Sequence, residues 1–196
     1  MARHVDHVER KREIAQAAIR ILGRGGTSAL TLKSLAEELG GSITLVTYFF
    51  SSRAEIFAAV VDDLVAGWDE ELAQLEEGAD AVGRLKILLE WLLPLDPEDV
   101  ANESGRIALI PHRGEHASID RFFDVMEYRM RGLLRSHLMG LVPANELEAA
   151  VSLLRATVNG VVLSTVEHPN LWSRDDQLAV IDAAMRSLSL KESLSS

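Results

Sequence analysis

The sequence predicts an all-α protein, and three observations support that prediction. Apolar residues recur at helical spacing along most of the 196 residues, and no alternating run is long enough to indicate a strand. The five prolines stand mainly where helical patterns end. With 47% hydrophobic residues, the chain can bury a substantial core as one large or two small domains. We therefore expect about nine helices and no sheet.

The most informative stretch is residues 31–50, which has the pattern of two short helices separated by a Gly-Gly turn. Apolar residues from Leu32 to Leu39 recur at helical spacing. Gly40 and Gly41 then tolerate the positive φ that ends a helix, and Ser42 can cap a second helix running to about Phe50. This spacing predicts a helix-turn-helix.

The second of these helices suits the major groove of DNA. It would bury Leu45 and Val46 and turn outward Thr44, Thr47 and Tyr48, whose small polar and phenolic groups can contact base edges. The candidate DNA-binding residues of this region are Thr31, Lys33, Ser42, Ile43, Thr44, Thr47, Tyr48 and Arg53.

Charge separates this region from the rest of the chain. Residues 1–53 contain 8 Lys or Arg and 5 Asp or Glu, a net charge of +3, whereas the remainder has a net charge of −13. A basic head can release counterions from phosphates, and an acidic body repels the duplex. Arg3, Arg10, Lys11 and Arg12 belong to this head, where a solvated surface explains them as well as DNA contact does.

Three predicted helix starts cluster in the same region, and N–H groups at helix starts bind phosphate. Thr31 and Ser42 are candidate caps, and Ser52 with Glu55 forms a capping box. Arg53 lies in the first turn after Ser52, where its charge opposes the helix dipole. We therefore interpret Arg53 as a phosphate contact rather than a solvated surface arginine.

Residues 14–57 resemble the amino-terminal domain of the TetR family of transcriptional regulators. The chain differs from the family at Gly41, where a small aliphatic residue is usual, and at Thr47, where a phosphate-contacting tyrosine is usual, with Tyr48 one position later. The matching residues are Ile14, Ala17, Ala18, Leu22, Gly26, Leu30, Thr31, Leu35, Ala36, Gly40, Ser42, Val46, Phe50, Ser52, Arg53, Glu55, Ile56 and Phe57.

The resemblance implies a three-helix DNA-binding domain at 1–51 and a helical ligand-binding and dimerisation domain at 52–196. A helix at 52–77 would link them, with Gly67 as a possible bend. It further implies a homodimer on double-stranded DNA, a palindromic operator, and repression relieved by an unidentified small-molecule effector. An alternative interpretation is a helical protein-interaction module whose basic head binds a protein instead of DNA.

Helix signals continue through the second domain. They predict helices at 79–93, 96–109, 118–138, 145–168 and 173–190. The expected caps are Asp96, followed by Pro97, then Ser118, and Ser173 with Asp176. His137 is expected on the surface and His168 at a helix end.

The last two helices are too apolar for the surface of a monomer. The helix at 145–168 has one apolar side and a second side of small residues, which suits close approach of another helix. We expect a four-helix dimer interface, although this chain's own helices could cover both sides. The candidate interface residues are Leu153, Ala156, Gly160, Leu163, Ile181 and Met185.

An effector pocket is expected among the middle helices, because the family resemblance implies one. Its candidate lining is apolar, with Glu90 as the main polar group and Arg106 or His112 as others. Aromatic and methionine residues at helical spacing are, however, more often plain core, and that interpretation stays open here. The candidate effector-binding residues are Trp68, Glu90, Trp91, Phe122, Phe123, Met126 and Met130.

Enzymatic and metal functions are not indicated. His112 and His116 have a zinc-compatible spacing, near Glu115 and Asp120, but Pro111 and Gly114 interrupt the helix that this spacing needs. The absence of cysteine excludes disulfides and thiolate metal sites, and no phosphate loop or nucleophile elbow is present. We expect no cofactor, no membrane span and a cytoplasmic location.

Overall fold

The structure is a computed structural model that describes residues 10, 13–14, 17–18, 20–21, 24–25, 29–50, 55–56, 59, 70–114, 117–188 and 190. Its α-helices with defined bounds are α1 (Leu32–Glu38), α2 (Ile43–Phe49), α3 (Ala81–Trp91), α4 (Pro97–Ile107), α5 (Ala117–Leu138), α6 (Leu147–Glu167) and α7 (Arg174–Ser187). A 3-10 turn spans Ile110–His112. No strand occurs among the described residues, so the prediction of an all-α fold is confirmed.

The predicted linking helix at 52–77 is described only in parts. Residues 55–56, 59 and 70–75 are helical. Ser52, Arg53, Gly67 and Trp68 lie outside the described residues, so the continuity of this helix stays a prediction.

Contacts divide the chain into two compact units. The amino-terminal unit comprises residues 1–69 and 101–124, and the carboxy-terminal unit comprises residues 70–100 and 125–196. Helices α4 and α5 each contribute residues to both units. The boundary at residue 51 therefore remains a prediction about where the DNA-binding function ends.

The core of the amino-terminal unit is built by the helix-turn-helix and the helical residues around it. Helices α1 and α2 pack against each other, and Leu35 and Val46 are fully buried. Arg20 Nε donates to Glu38 Oε1 at 2.9 Å, and Arg24 also bonds this carboxylate. Other buried apolar residues of this unit are Ile14, Ala17, Ala18, Ile21, Leu30, Phe50, Ile56, Leu109, Ile119 and Phe122.

The carboxy-terminal unit is centred on α6 and α7, which pack against each other, with α3 against α7. Lys86 Nζ on α3 lies 2.9 Å from Asp182 Oδ1 on α7. Gln177 Nε2 of α7 donates to the carbonyl of Pro94 at 3.2 Å, which fixes the turn after α3. The buried apolar residues include Leu85, Leu88, Leu89, Leu134, Leu138, Val151, Leu154, Val158 and Val161.

Several predicted caps are present as expected. Asp96 Oδ1 accepts from the backbone N–H groups of Glu98 and Asp99, both at 2.9 Å. Ser173 and Asp176 form the predicted capping box of α7. The prediction for Ser118 is wrong, because α5 begins at Ala117 and Ser118 lies inside the helix.

Helix α6 is long and apolar enough, by length and composition alone, to cross a bilayer. It also contributes a row of buried residues to the core, from Ala150 to Thr165. Core helices satisfy the same length and composition test, and the buried row indicates that role for α6.

Candidate nucleic-acid interface

The start of the helix-turn-helix is fixed by a reciprocal cap. Thr31 Oγ1 accepts from the Ser34 N–H at 3.0 Å, and Ser34 Oγ accepts from the Thr31 N–H at 2.9 Å. Ser34 Oγ also donates to the Ala29 carbonyl at 2.6 Å. Serine at the third helical position thus replaces the more usual Glu or Gln and ties α1 to the chain before it.

The turn between α1 and α2 depends on two glycines with different roles. Gly40 has φ of 60°, a conformation that favours glycine. At Gly41, an added Cβ would lie 3.0 Å from Leu45 Cδ2, so Leu45 already occupies the space that a small aliphatic residue would use. Ser42 Oγ then accepts from the Leu45 N–H at 3.2 Å and caps α2.

Helix α2 presents the predicted face to solvent. Val46 is fully buried, whereas Ile43 is 47% exposed and Tyr48 is 74% exposed. Thr44 and Thr47 are exposed on the same side. Four of the candidate DNA-binding residues therefore lie together on one exposed helix surface, which we call the recognition face (Ile43, Thr44, Thr47 and Tyr48).

The hydroxyl of Thr47 is engaged with its own helix. Thr47 Oγ1 lies 3.2 Å from the carbonyl oxygens of both Ile43 and Thr44, so its hydrogen is directed to the backbone. The Tyr48 ring meets the Phe49 ring edge to face, with centroids 5.0 Å apart. This contact joins the exposed phenol to the half-buried side of α2.

Charges around the recognition face are partly compensated within the unit. Lys33 Nζ lies 3.8 Å from Glu37 Oε1, and both side chains are exposed. Hydrogen bonds from Arg20 and Arg24 hold the pKa of Glu38 below its ordinary value of 4.5, so Glu38 is ionised and paired. Arg53, the strongest candidate phosphate contact, lies outside the described residues.

Comparison with known proteins agrees with this geometry. The family described as bacterial regulatory proteins, tetR family, matches residues 14–60, which include both helices of the helix-turn-helix. The segment of residues 14–60 is thus similar to the DNA-binding domain of the TetR family, of the helix-turn-helix type, and the predicted resemblance is confirmed.

Two transcriptional regulators match this chain over most of their length. The HTH-type transcriptional regulator BetI of Rhizobium meliloti (strain 1021) is 25% identical over 158 residues, which cover 79% of this chain and 76% of BetI. A transcriptional regulator from Rhodococcus sp. Rha1 has a similar structure, with a TM-score of 0.79, 25% identity, and coverage of 92% of this chain and 95% of that chain.

A third relative was solved with a small molecule. A transcriptional regulator from Saccharomonospora viridis, in complex with choline, has a TM-score of 0.78 and 20% identity. The match covers 94% of this chain and 99% of that chain. This likeness establishes a shared fold.

The candidate effector residues are divided between the two units. Phe122 and Phe123 belong to the amino-terminal unit, where their rings meet edge to face at 5.2 Å. The Arg113 guanidinium lies 5.3 Å from the Phe123 centroid, and its Nη2 donates to Asp124 at 3.0 Å. Arg113 therefore covers one face of Phe123. Glu90, Trp91, Met126 and Met130 belong to the carboxy-terminal unit, and Trp68 lies outside the described residues.

The amino-terminal unit also contains a groove that sequence reasoning missed. It has a volume of about 420 Å³ and lies beside the Arg24–Glu38 ion pair. Its lining comes from two neighbouring segments, residues 21–29 and residues 34–38, and depends on how they pack against each other. The lining residues are Ile21, Arg24, Gly25, Ala29, Ser34, Glu37 and Glu38.

The candidate dimer residues fall into two groups. Leu153 and Leu163 are each 43% exposed, and Ala156 and Gly160 are exposed between them on α6. The prediction for Ile181 and Met185 is wrong, because both are buried in the core of the carboxy-terminal unit, at 1% and 8% exposure. Ala179, Ala183 and Arg186 form the exposed side of α7 instead.

The prediction that His137 lies on the surface is also wrong. His137, expected on the surface, has a side chain only 7% exposed, and it contacts the equally buried Glu76. His112 is half-buried in the 3-10 turn, and His116 lies outside the described residues. Within the described part of the chain, no group of three or more His, Cys, Asp or Glu side chains is arranged to hold a metal.

Proposed function

We propose that this chain is a ligand-responsive repressor that binds a palindromic operator as a homodimer and leaves it when an effector binds. The recognition face on a folded helix-turn-helix carries the proposal, because its four residues are exposed while Val46 on the other side of α2 is fully buried. The net charge of +3 over residues 1–53 supports attraction to phosphate. Since the proposed target is DNA and the matching family is one of bacterial regulatory proteins, we place the protein in the cytoplasm.

The exposed surface of α6 supports the homodimer. Leu153, Ala156, Gly160 and Leu163 form one apolar row along a 21-residue helix whose opposite side is buried. An added Cβ at Gly160 would meet nothing within 4 Å among the described residues, so a second helix can approach closely there. A two-fold dimer would place two α2 helices on successive major grooves, about 34 to 36 Å apart.

A salt titration tests the DNA-binding part. The full chain is mixed with a promoter fragment taken from beside its own gene and with a random duplex of equal length. We expect tighter binding to the promoter fragment and a steep loss of affinity for both duplexes as salt rises. Equal, salt-insensitive affinity for the two duplexes, or no retention of either, would contradict the proposal.

Glu90 supports a cationic effector. Its side chain is 31% exposed, and Lys86 Nζ lies 3.9 Å from Glu90 Oε1, beyond hydrogen-bond distance. Lys86 instead bonds Asp182 at 2.9 Å, and that bond raises the pKa of Lys86. The Glu90 carboxylate thus retains capacity for a further cation.

Glu90 shares the carboxy-terminal unit with other candidate effector residues whose side chains suit an apolar cation. Trp91 is half-buried beside it in sequence, and an indole face attracts quaternary ammonium groups. Met126 and Met130 of the same unit offer adaptable apolar surface. The choline complex of the Saccharomonospora viridis regulator makes choline the first compound to test.

The effector proposal is tested with choline and its neutral carbon isostere, which has the same shape without the charge. We expect choline to release the protein from the promoter fragment, the isostere to act only weakly, and Glu90→Gln to reduce the difference between them. Glu77→Gln is the control, since Glu77 is an exposed acid of the same unit. If choline and the isostere release wild type and Glu90→Gln to the same extent, Glu90 is not part of the effector site.

Release must also be reciprocal. A ligand shifts an equilibrium only through its different affinities for two states, so DNA must weaken choline binding by the factor by which choline weakens DNA binding. Calorimetry of choline binding with and without saturating promoter fragment measures this factor. Choline affinity unchanged by DNA would exclude release by this compound.

A further inference from the structure

We propose that the recognition face selects thymine through its 5-methyl group, so that the operator half-site is defined by T·A pairs rather than by guanine contacts. This inference rests on the proposed function, because it requires α2 to lie in the major groove of an operator. It specifies which chemical feature of DNA the helix recognises.

The residue types of the helix-turn-helix do not favour guanine or adenine contacts. Guanine is usually contacted by the paired donors of Arg or Lys, and adenine by the amide of Asn or Gln. Residues 31–50 contain no Arg, Asn, Gln or His, and their one Lys is Lys33, on α1 rather than α2. The recognition face therefore lacks the groups that make bidentate contacts with purines.

Ile43 places an exposed apolar side chain at the start of α2. It occupies the first position of α2 and is 47% exposed, although isoleucine is among the residues most often buried. Residues near the start of a recognition helix contact base edges in helix-turn-helix proteins. In the major groove, the thymine methyl is the apolar feature that distinguishes one base from the others.

The geometry of Thr47 leaves its methyl group available for contact with DNA. Its hydroxyl hydrogen is directed to the carbonyl oxygens of Ile43 and Thr44, each 3.2 Å from Oγ1. The γ-methyl and the oxygen lone pairs remain for a partner in the groove. Thr44 is exposed next to Ile43, and Thr47 follows Ile43 by four positions, so the three side chains share one side of the helix. Together they present a surface rich in methyl groups.

The experiment begins with the full chain and a library of duplexes that carry a randomised core. Selected duplexes are then resynthesised with uracil in place of thymine, one position at a time, which removes only the 5-methyl group. We expect one or more uracil positions in each half-site to weaken binding about fourfold, the effect of one buried methyl-sized group. A 5-methylcytosine·G pair at such a position should bind more tightly than an unmethylated C·G pair.

Substitutions on the recognition face test whether its side chains make the contact with the thymine methyl group. Ile43→Ala should abolish the uracil penalty at one position in each half-site, and Ile43→Val, which keeps two γ-methyl groups, should retain part of it. Tyr128→Phe is the control, because it removes only a hydroxyl from an exposed tyrosine of α5, outside the helix-turn-helix, and should leave every uracil penalty unchanged.

The outcomes separate the two levels of the proposal. If duplexes are selected but tolerate uracil everywhere, while 7-deazaguanine substitutions weaken binding, the methyl inference is overturned and DNA binding stands. If uracil penalties persist in Ile43→Ala and in the Thr44→Ser and Thr47→Ser variants alike, the assignment to this face is overturned. If no duplex is selected at all, the proposed function fails with it.

Discussion

Glu76 and His137 form a buried pair, with Glu76 Oε1 lying 2.5 Å from His137 Nε2 although 61 positions separate them in the chain. His137 Nδ1 lies 2.8 Å from the Leu133 carbonyl, so each ring nitrogen faces an oxygen. Arg84 Nε donates to the second Glu76 oxygen at 2.9 Å. Glu76 thereby joins the chain before α3 to both α3 and α5.

Removing Glu76 should strongly destabilise the carboxy-terminal unit. Glu76→Ala leaves both His137 and Arg84 without this acceptor, and a buried polar group that loses its hydrogen-bond partner typically costs about 1–3 kcal/mol. Urea unfolding monitored by circular dichroism measures the loss. Glu77→Ala, at an exposed neighbouring position, should change stability by less than about 0.5 kcal/mol. Similar losses for the two variants would show that the buried pair has no special role.

Arg53→Ala should weaken binding to all duplexes alike. A phosphate contact carries no sequence information, so specificity should persist while the slope of log affinity against log salt falls by about one. Titrations on the promoter fragment and the random duplex give both quantities. Arg174→Ala, an exposed arginine of α7, should leave the slope unchanged. Loss of affinity for the promoter fragment alone would exclude the phosphate role.

Gly160→Arg should yield monomers that remain folded. The space beside Gly160 is open in its own chain, so the arginine need not disturb the fold, whereas in the dimer it would bury an unpaired charge. Sedimentation gives the association state, and circular dichroism gives the helix content. Gly160→Ala keeps a small residue in the row and should remain dimeric. If the Gly160→Arg variant is still a dimer, the dimer interface does not include Gly160.

Glu38 should make the amino-terminal unit more stable at neutral than at acidic pH. Because hydrogen bonds from Arg20 and Arg24 lower the pKa of Glu38 in the folded chain, its contribution is full above the ordinary value of 4.5. It is lost as pH falls through the lowered value. The difference in unfolding free energy between wild type and Glu38→Gln should therefore shrink from about pH 7 to about pH 3. A difference independent of pH would contradict this coupling.

The helix-turn-helix could be predicted from sequence because its determinants are local. Thr31, Gly40 and Ser42 each act within a few residues of their own position, and the structure has them as expected. The same holds for the capping box of Ser173 and Asp176.

Features that depend on distant segments could not be predicted in this way. His137 has an ordinary helical position, and nothing in its neighbourhood indicates that Glu76 will reach it. Periodicity predicts the apolar stripe of α7, but it does not reveal whether the same chain or a second copy covers that stripe. Ile181 and Met185 prove to be covered by their own chain. The groove beside Arg24 and Glu38 is likewise a product of tertiary packing.

The contact between Leu45 and the space beside Gly41 makes these two positions epistatic. An alanine at position 41 requires Leu45 to shift or to be replaced by a shorter residue, since the added Cβ would lie only 3.0 Å from Leu45 Cδ2. Exchange of a whole α2 helix between relatives should therefore carry position 41 together with position 45. A graft of only the exposed residues of α2 leaves both positions, and with them the turn, unchanged.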